Sequence, residues 1–273
     1  METIIRIEEL KKRYGEFTAV DGISFDIKRN EIFGLLGPNG AGKTTTISMI
    51  CGLLPVTEGE VIFTNNNRKD CKTKIGYCPQ ENIFYPKLTC LEQLLFMGQM
   101  YGMPSKIVKQ QVLELLNLLG LNDKTHVRAG KLSGGMKRRL NICLVLIHDP
   151  EILILDEPEA GLDPQSRILV RDFIKTISKE KTVILTTHNM DEADRLADRV
   201  AIIDHGKLLI SDTPQNLKRT VGEGDILELV IENNNENARK LFYESIELLS
   251  LEILVAGNFP LFLFLFFPGL HFR

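Results

Sequence analysis

Residues 37–44 read GPNGAGKT, and no other stretch of the chain restricts its fold as much. The order is G-x-x-x-x-G-K-[ST], a loop whose glycines let backbone N–H groups wrap around phosphates. Such a loop needs a buried strand to deliver the chain and a helix to carry it away, because the helix N-terminus supplies part of the anion-binding field. Both are legible. EIFGLLG at 31–37 is a short apolar run of the buried-strand kind. TTISMICGLL at 45–54 sets Ile47, Ile50 and Leu54 at helical spacing before PVTEGE ends it. In this loop Gly37, Pro38, Asn39, Gly40, Ala41 and Gly42 surround the phosphates of a nucleotide and Lys43 reaches the β and γ phosphates. Thr44 offers its hydroxyl to Mg²⁺, with Thr45 beside it.

A phosphate-bound cation needs a carboxylate on its far side. ILILDE at 152–157 ends four apolar residues in Asp156 and Glu157, at the carboxyl end of a strand, where open α/β sheets bind ligands. Asp156 is the expected metal partner; Glu157, one residue on, faces differently and suits a general base that polarises the attacking water. His188 closes TVILTTH at 182–188, another strand end. A histidine there is often only structural, yet beside phosphate chemistry it suits a γ-phosphate contact. Gln80 follows the short strand KIGYCPQ; its amide can serve both a metal and a water, although taken alone it reads as a surface glutamine.

Around these motifs the chain is organised in blocks. Residues 4–7 and 23–27 alternate as strands. LEQLLFMGQMYG and KIVKQQVLELLNLLG, split by Gly102 and Pro104, are amphipathic helical runs with few β-branched residues. From EILILD onward the pattern runs strand, helix (PQSRILVRDFIKTI), strand, helix (MDEADRLA), strand (RVAIID), which predicts a parallel sheet covered by helices. Glycine and charge accumulate near Val221, where a boundary is expected; 225–249 then reads as a strand, a polar turn and a helix. Only one phosphate loop occurs, so one nucleotide-binding unit is expected.

Composition narrows the function classes. A net charge of −3 gives no broad basic field, so nucleic acid is not an expected partner. Five cysteines with no C-x-x-C pair fit neither a disulfide framework nor a zinc site and read as reduced thiols. The N-terminus has no secretory pattern, and no run up to residue 258 approaches the roughly 20 apolar residues that cross a bilayer. A cytoplasmic chain is expected, with any membrane role borrowed from a partner. LSGGMKRRL at 132–140 poses a separate question, since it puts Lys137, Arg138 and Arg139 near a helix start. Each cation there costs about 0.3–1 kcal/mol against the helix dipole, so either an anion visits or solvent screens the charge.

Taken together, the phosphate loop, Gln80, LSGGM at 132–136, ILILDEP at 152–158, GLD at 161–163 and His188 resemble, in order and spacing, the ATP-binding subunits of ABC transporters, over about residues 3–220. That resemblance implies an α/β P-loop NTPase with a RecA-like parallel core sheet and an antiparallel β subdomain. It adds an α-helical subdomain over about 88–149 that touches the membrane subunits, and a short C-terminal α/β appendage over 221–273. It implies two subunits meeting head to tail, so that Ser133, Gly134 and Gly135 of one close over the γ-phosphate held by Lys43 of the other. Tyr14 resembles the aromatic that stacks on adenine, Asp163 the aspartate that links the two sites, and Gln80 the hinge to the helical part. The implied activity is ATP hydrolysis that powers transport, with export favoured, through separate membrane chains at the cytoplasmic face of the membrane.

Two places depart from the family pattern. Glu159 in DEPEAGLD stands where a small hydroxyl residue is usual and adds negative charge near Asp156 and Glu157, enough to slow hydrolysis or raise a carboxylate pKa. The last fifteen residues, with six phenylalanines and no acid, do not resemble the family's continuation; 258–273 are expected to be either a truncated or aberrant end or a buried strand. Rival classes fit less well. A soluble ABC-type ATPase of translation or DNA maintenance resembles a tandem or coiled-coil-split chain, and a GTPase reading rests only on NRKD at 67–70, which follows the phosphate loop too soon.

Overall fold

The computed structural model describes residues 2–64 and 74–221 together with strands at 225–230, 253–256 and 262–267. The NRKD stretch, Cys71 and the helix expected within 231–249 lie outside the described residues. The chain divides into two compact units, Met1–Pro214 and Gln215–Arg273.

The first unit opens with two long strands, β1 (Thr3–Tyr14) and β2 (Phe17–Lys28), paired antiparallel with Tyr14 opposite Phe17. β4 (Glu58–Phe63) joins the other edge of β1, giving the expected antiparallel subdomain in the order β2-β1-β4. Alternating residues Ile5, Ile7, Leu10, Ile23 and Ile27 point into the core, where they meet Phe33, Ile47 and Ile154.

The main sheet holds β5 (Ile75–Cys78), β6 (Ile152–Asp156), β7 (Thr182–Thr187), β3 (Ile32–Leu36), β8 (Arg199–Asp204) and β9 (Lys207–Asp212), in that spatial order. Five strands are parallel and entirely or largely apolar, as strands covered on both faces must be. β9 adds an antiparallel edge that the alternating pattern did not announce. In register, Asp156 lies opposite Thr186 and Leu36 opposite Thr187. The loops leaving β6, β7 and β3 therefore emerge side by side.

Helix α1 (Lys43–Ile50) follows the phosphate loop; it stops before Leu54, with Gly52 at φ +67° closing it. The helical insert contains α2 (Cys90–Met100), α3 (Ser105–Leu118) and α4 (Gly134–Leu146) within the expected span. Thr89 and Glu92 start α2 with a reciprocal capping box: the Thr89 Oγ1 accepts from the Glu92 N–H at 3.2 Å, and the Thr89 N–H donates to Glu92 Oε2 at 2.8 Å. Gly98 lets α2 press against Val108 of α3, where a Cβ would come within 2.5 Å of a valine methyl. Beyond lie α5 (Pro164–Ile177), which coincides with PQSRILVRDFIKTI, and α6 (Met190–Leu196). α7 (Pro214–Val221) precedes the second unit's sheet.

In the second unit, β10 (Asp225–Val230), β12 (Phe262–Phe267) and β11 (Ile253–Ala256) form an antiparallel sheet in that order. The phenylalanine-rich tail thus contributes a strand.

Candidate nucleotide site

The phosphate loop is shaped by close approach as much as by turn conformation. A Cβ on Gly37 would lie 2.1 Å from the Ile203 carbonyl oxygen. One on Gly42, at φ +102°, would lie 2.6 Å from that of Ala19. Gly40 has open space around it but sits at φ +83°, so its requirement is purely conformational. Buried Ala41 accepts the Gly206 N–H at 3.0 Å, which anchors the loop to the turn after β8. Lys43 is buried and donates to the carbonyls of Gly37 at 2.7 Å and Pro38 at 2.9 Å. Burial lowers its pKa, and Glu157 and Asp156 oppose that shift.

Asp156 receives three hydroxyls. Thr44 Oγ1 donates to Oδ2 at 3.1 Å, Tyr77 donates more weakly at 3.4 Å, and Thr186 donates to Oδ1. Burial, then the Asp156 charge, push the Tyr77 phenol well above its ordinary pKa, which keeps it a donor. Glu157 adopts φ +46°, a left-handed conformation that costs a non-glycine residue about 1–3 kcal/mol. Its N–H donates to the carbonyl and hydroxyl of Thr186 at 3.2 and 3.0 Å, which holds the turn. The Glu157 carboxylate accepts from Gln80 Nε2 at 3.2 Å and faces His188 Nδ1 at 3.1 Å. Catalytic candidates from three separate strand ends thus form one hydrogen-bonded cluster.

A cleft of about 450 Å³ opens over this cluster, lined by Asn39, Gly40, Gly42, Lys43, Thr44, Thr45, Gln80 and Glu157. Tyr14 and Phe17 line it too, 51% and 65% exposed. Phe17 is a wall residue that the sequence reading missed, although its place opposite Tyr14 across a two-residue turn was a usable signal.

Ser133 and Gly134 do not line that cleft. Ser133 caps α4, its Oγ accepting the Met136 N–H at 3.3 Å. Gly134 has nothing within 4 Å of where a Cβ would be. Gly135 packs against α5, where a Cβ would meet the Ser166 hydroxyl at 2.1 Å. Asp163 caps α5, accepting the Ser166 N–H at 2.9 Å, and the hydrogen bonds from Ser166 hold its carboxyl below the usual range. Gly135 and Asp163 thus form a second patch beside α5, with Ser133 and Gly134 leading into it along the chain.

Neither explanation of the three cations holds for the two arginines. Arg138 and Arg139 are buried, and backbone carbonyls accept their hydrogen bonds. Arg138 donates to Asp156 O at 2.6 Å, to Gln80 O at 3.3 Å, to Pro158 O at 3.4 Å and to Pro79 O. Arg139 donates to the carbonyls of Leu119 and Gly120 at 2.8 and 3.2 Å. Only Lys137 stays partly open, over the Phe84 ring. Nothing in the sequence distinguishes these roles, because the carbonyl partners lie up to 59 residues away.

Glu159 meets its expectation in part. It is buried and bound by Arg171 through two hydrogen bonds, Nε to Oε1 at 3.0 Å and an Nη2 to Oε2 at 2.8 Å, so its charge is neutralised. Glu159 still helps to raise one carboxyl, that of Glu192, where burial is the larger cause and Glu157 adds to it, against a hydrogen bond from Thr187.

The sequence match agrees with this geometry. Residues 20–160 match the family described as ABC transporter. The chain belongs to that family. It is an ATP-binding cassette, of a class that hydrolyses ATP to power transport. The linearmycin resistance ATP-binding protein LnrL of Bacillus subtilis is 44% identical over 239 residues, 85% of this chain and 76% of that protein. The Nod factor export ATP-binding protein I of Paraburkholderia xenovorans is 39% identical, over 84% of this chain and 77% of its own. Among solved structures, an ABC transporter cassette in its ADP conformation superposes with a TM-score of 0.73 at 26% identity, covering 82% of this chain and 96% of that one. The cassette cbiO1 of Clostridium perfringens, described as part of an ABC transporter complex, gives 0.74 at 28% identity, over 81% and 94%. No helix among the described residues of the present cassette is long and apolar enough to cross a membrane.

Proposed function

We propose that this cassette powers export through separate membrane subunits at the cytoplasmic face, and that its ATP sites are completed by a second copy arranged head to tail. The export reading is supported by the names of its relatives, one a resistance protein and one an export protein. The observation that carries the dimer reading is the split of the site. Lys43, Thr44, Gln80 and Glu157 line one cleft, with Asp156 and His188 hydrogen-bonded behind them to Thr44 and Glu157, while Ser133 and Gly134 stand exposed off it at a helix start whose N–H groups suit an anion.

In this reading Lys43 leaves the loop carbonyls for the β and γ phosphates, and Tyr14 and Phe17 flank the adenine. Thr44, Asp156 and Gln80 supply the oxygens that a hard divalent cation prefers, so the donor set fits Mg²⁺. Mg²⁺ bound there would neutralise phosphate charge. Glu157 accepts a proton from the attacking water, and Gln80 and His188 keep its carboxylate aimed. The helical subdomain carries the docking surface for the membrane partner, and residues from 215 onward form the appendage.

The test is Glu157→Gln. The amide preserves the shape of the side chain and abolishes the base, so kcat should fall about 10²–10⁴-fold. With Mg-ATP the variant should elute from gel filtration as a dimer. Hydrolysis at the parental rate would remove Glu157 from the role of base, and a strictly monomeric ATP-bound variant would remove the dimer.

A further inference from the structure

Beside the nucleotide cleft lies a second cavity of about 290 Å³, bordered by Glu157, His188, Glu159, Arg171, Glu192 and Arg195. Its inner wall contains a buried carboxyl that the hydrolysis scheme does not use. Glu192, on α6, exposes 8% of its surface; its Oε2 accepts the Thr187 hydroxyl at 2.5 Å, while its Oε1 makes no well-aligned hydrogen bond among the described residues, the Glu159 backbone being the carboxyl's other polar neighbour. A buried carboxyl left half satisfied costs stability, which makes its retention informative.

Thr187 is the last residue of β7 and is itself buried. Its Oγ1 donates to Glu192 and accepts the Asn189 N–H at 3.0 Å. Asn189 in turn caps α6, its Oδ1 accepting the Asp191 N–H at 2.8 Å. The turn from Thr187 to Asn189 is therefore tied at both flanks, with His188 between them. His188 Nδ1 faces the Glu157 carboxylate at 3.1 Å, and the side chain is 53% exposed. With half of the imidazole open to solvent, its position depends on the backbone of this turn. Glu159 and Arg171, joined in a bidentate pair, border the same cavity.

We propose that Glu192 is a positioning residue for ATP hydrolysis: through the Thr187 hydroxyl it fixes the turn that holds His188 against Glu157. The proposal rests on the reading of Glu157 as the base with His188 as its partner. Glu192 touches neither substrate nor the attacking water, and its effect passes through one hydrogen-bonded chain, Glu192 to Thr187 to the His188 turn. Displacing His188 leaves binding groups such as Lys43 and Tyr14 untouched, so turnover suffers and nucleotide affinity does not.

The experiment measures kcat and KM for Mg-ATP on the full chain carrying Thr187→Val, Glu192→Ala, both together, or Glu192→Gln, with His188→Ala in parallel. Rates are normalised to the number of nucleotide-binding sites, so partial loss of folded protein divides out. Thr187→Val and Glu192→Ala should each lower kcat about tenfold with KM within about twofold, and the pair should do no worse than either alone, because both break one chain. Glu192→Gln keeps an acceptor for Thr187 and should stay within about threefold of the parent. Parental kcat in Thr187→Val and Glu192→Ala, with His188→Ala inactive, would overturn the role of Glu192 and leave the Glu157–His188 reading standing. Parental kcat in His188→Ala would overturn that reading itself. Losses in the two variants that multiply, or that fall on KM, would mark Glu192 as merely structural and also defeat the proposal.

Discussion

Replacing Arg138 by methionine keeps much of the apolar stem and removes every donor from the side chain. In the native cassette that guanidinium joins the start of the signature helix to the Gln80 hinge and to the end of β6, through Asp156 O at 2.6 Å, Gln80 O at 3.3 Å, Pro158 O at 3.4 Å and Pro79 O. Two of these contacts are long and add little. The other two are charge-assisted and are worth about 1.5–3 kcal/mol each, or about 3–6 kcal/mol together. Relief from burying a charge offsets part of this, which leaves a net destabilisation of about 2–4 kcal/mol. The chain has no tryptophan, so urea unfolding is followed by far-ultraviolet circular dichroism, with the free energy extrapolated to water. Arg138→Lys should recover less than half of the loss, because an ammonium cannot reach carbonyls on both sides at once. A loss below about 1 kcal/mol for Arg138→Met, or full recovery with lysine, would refute the assignment of Arg138 as a clamp on backbone carbonyls.

Other consequences follow from the same geometry. Gly42→Ala forces a Cβ to within 2.6 Å of the Ala19 oxygen at φ +102°, so affinity for a fluorescent ATP analogue should fall at least tenfold; native affinity would contradict the close-approach argument. Gly134→Ala meets no atom within 4 Å and should leave unfolding free energy within about 0.5 kcal/mol of the parent while lowering ATP turnover; unchanged turnover would argue against a partner closing over this helix start. Burial pushes the Cys51 thiol up to about 12 and Cys78 to about 11, so at pH 8 both are protonated and unreactive. A Cys71→Ser chain should therefore react slowly with Ellman's reagent until it is unfolded, and rapid labelling of Cys51 or Cys78 in the native state would contradict those shifts.

Much of this molecule was legible as sequence because its motifs are local. The phosphate loop announces its own strand and helix, and α5 falls on its predicted span because proline, a capping Asp163 and an amphipathic run coincide. Asp156, Glu157 and His188 were readable as strand-end residues, and the β6-β7-β3 order then placed them together. What escaped was set by contacts between distant segments. Arg138 and Arg139 looked like surface cations, since no local pattern reveals a carbonyl lining built from other loops. Glu159 looked like an added charge because Arg171, twelve residues on, is visible as its partner only once α5 folds back. Tyr77 and Thr186 went unread for the same reason: each gains its meaning from Asp156 on a neighbouring strand.

The central claim is that each nucleotide is held by two copies of the chain, and mixing two inactive variants tests it most directly. A chain carrying Lys43→Ala keeps an intact Ser133 turn, and one carrying Ser133→Arg keeps an intact phosphate loop; alone, each should be inactive. If sites are shared, an equimolar mixture contains mixed dimers with one complete site, and ATP turnover should return to about a quarter of the parental rate. If the mixture stays as inactive as its components, the composite site is wrong.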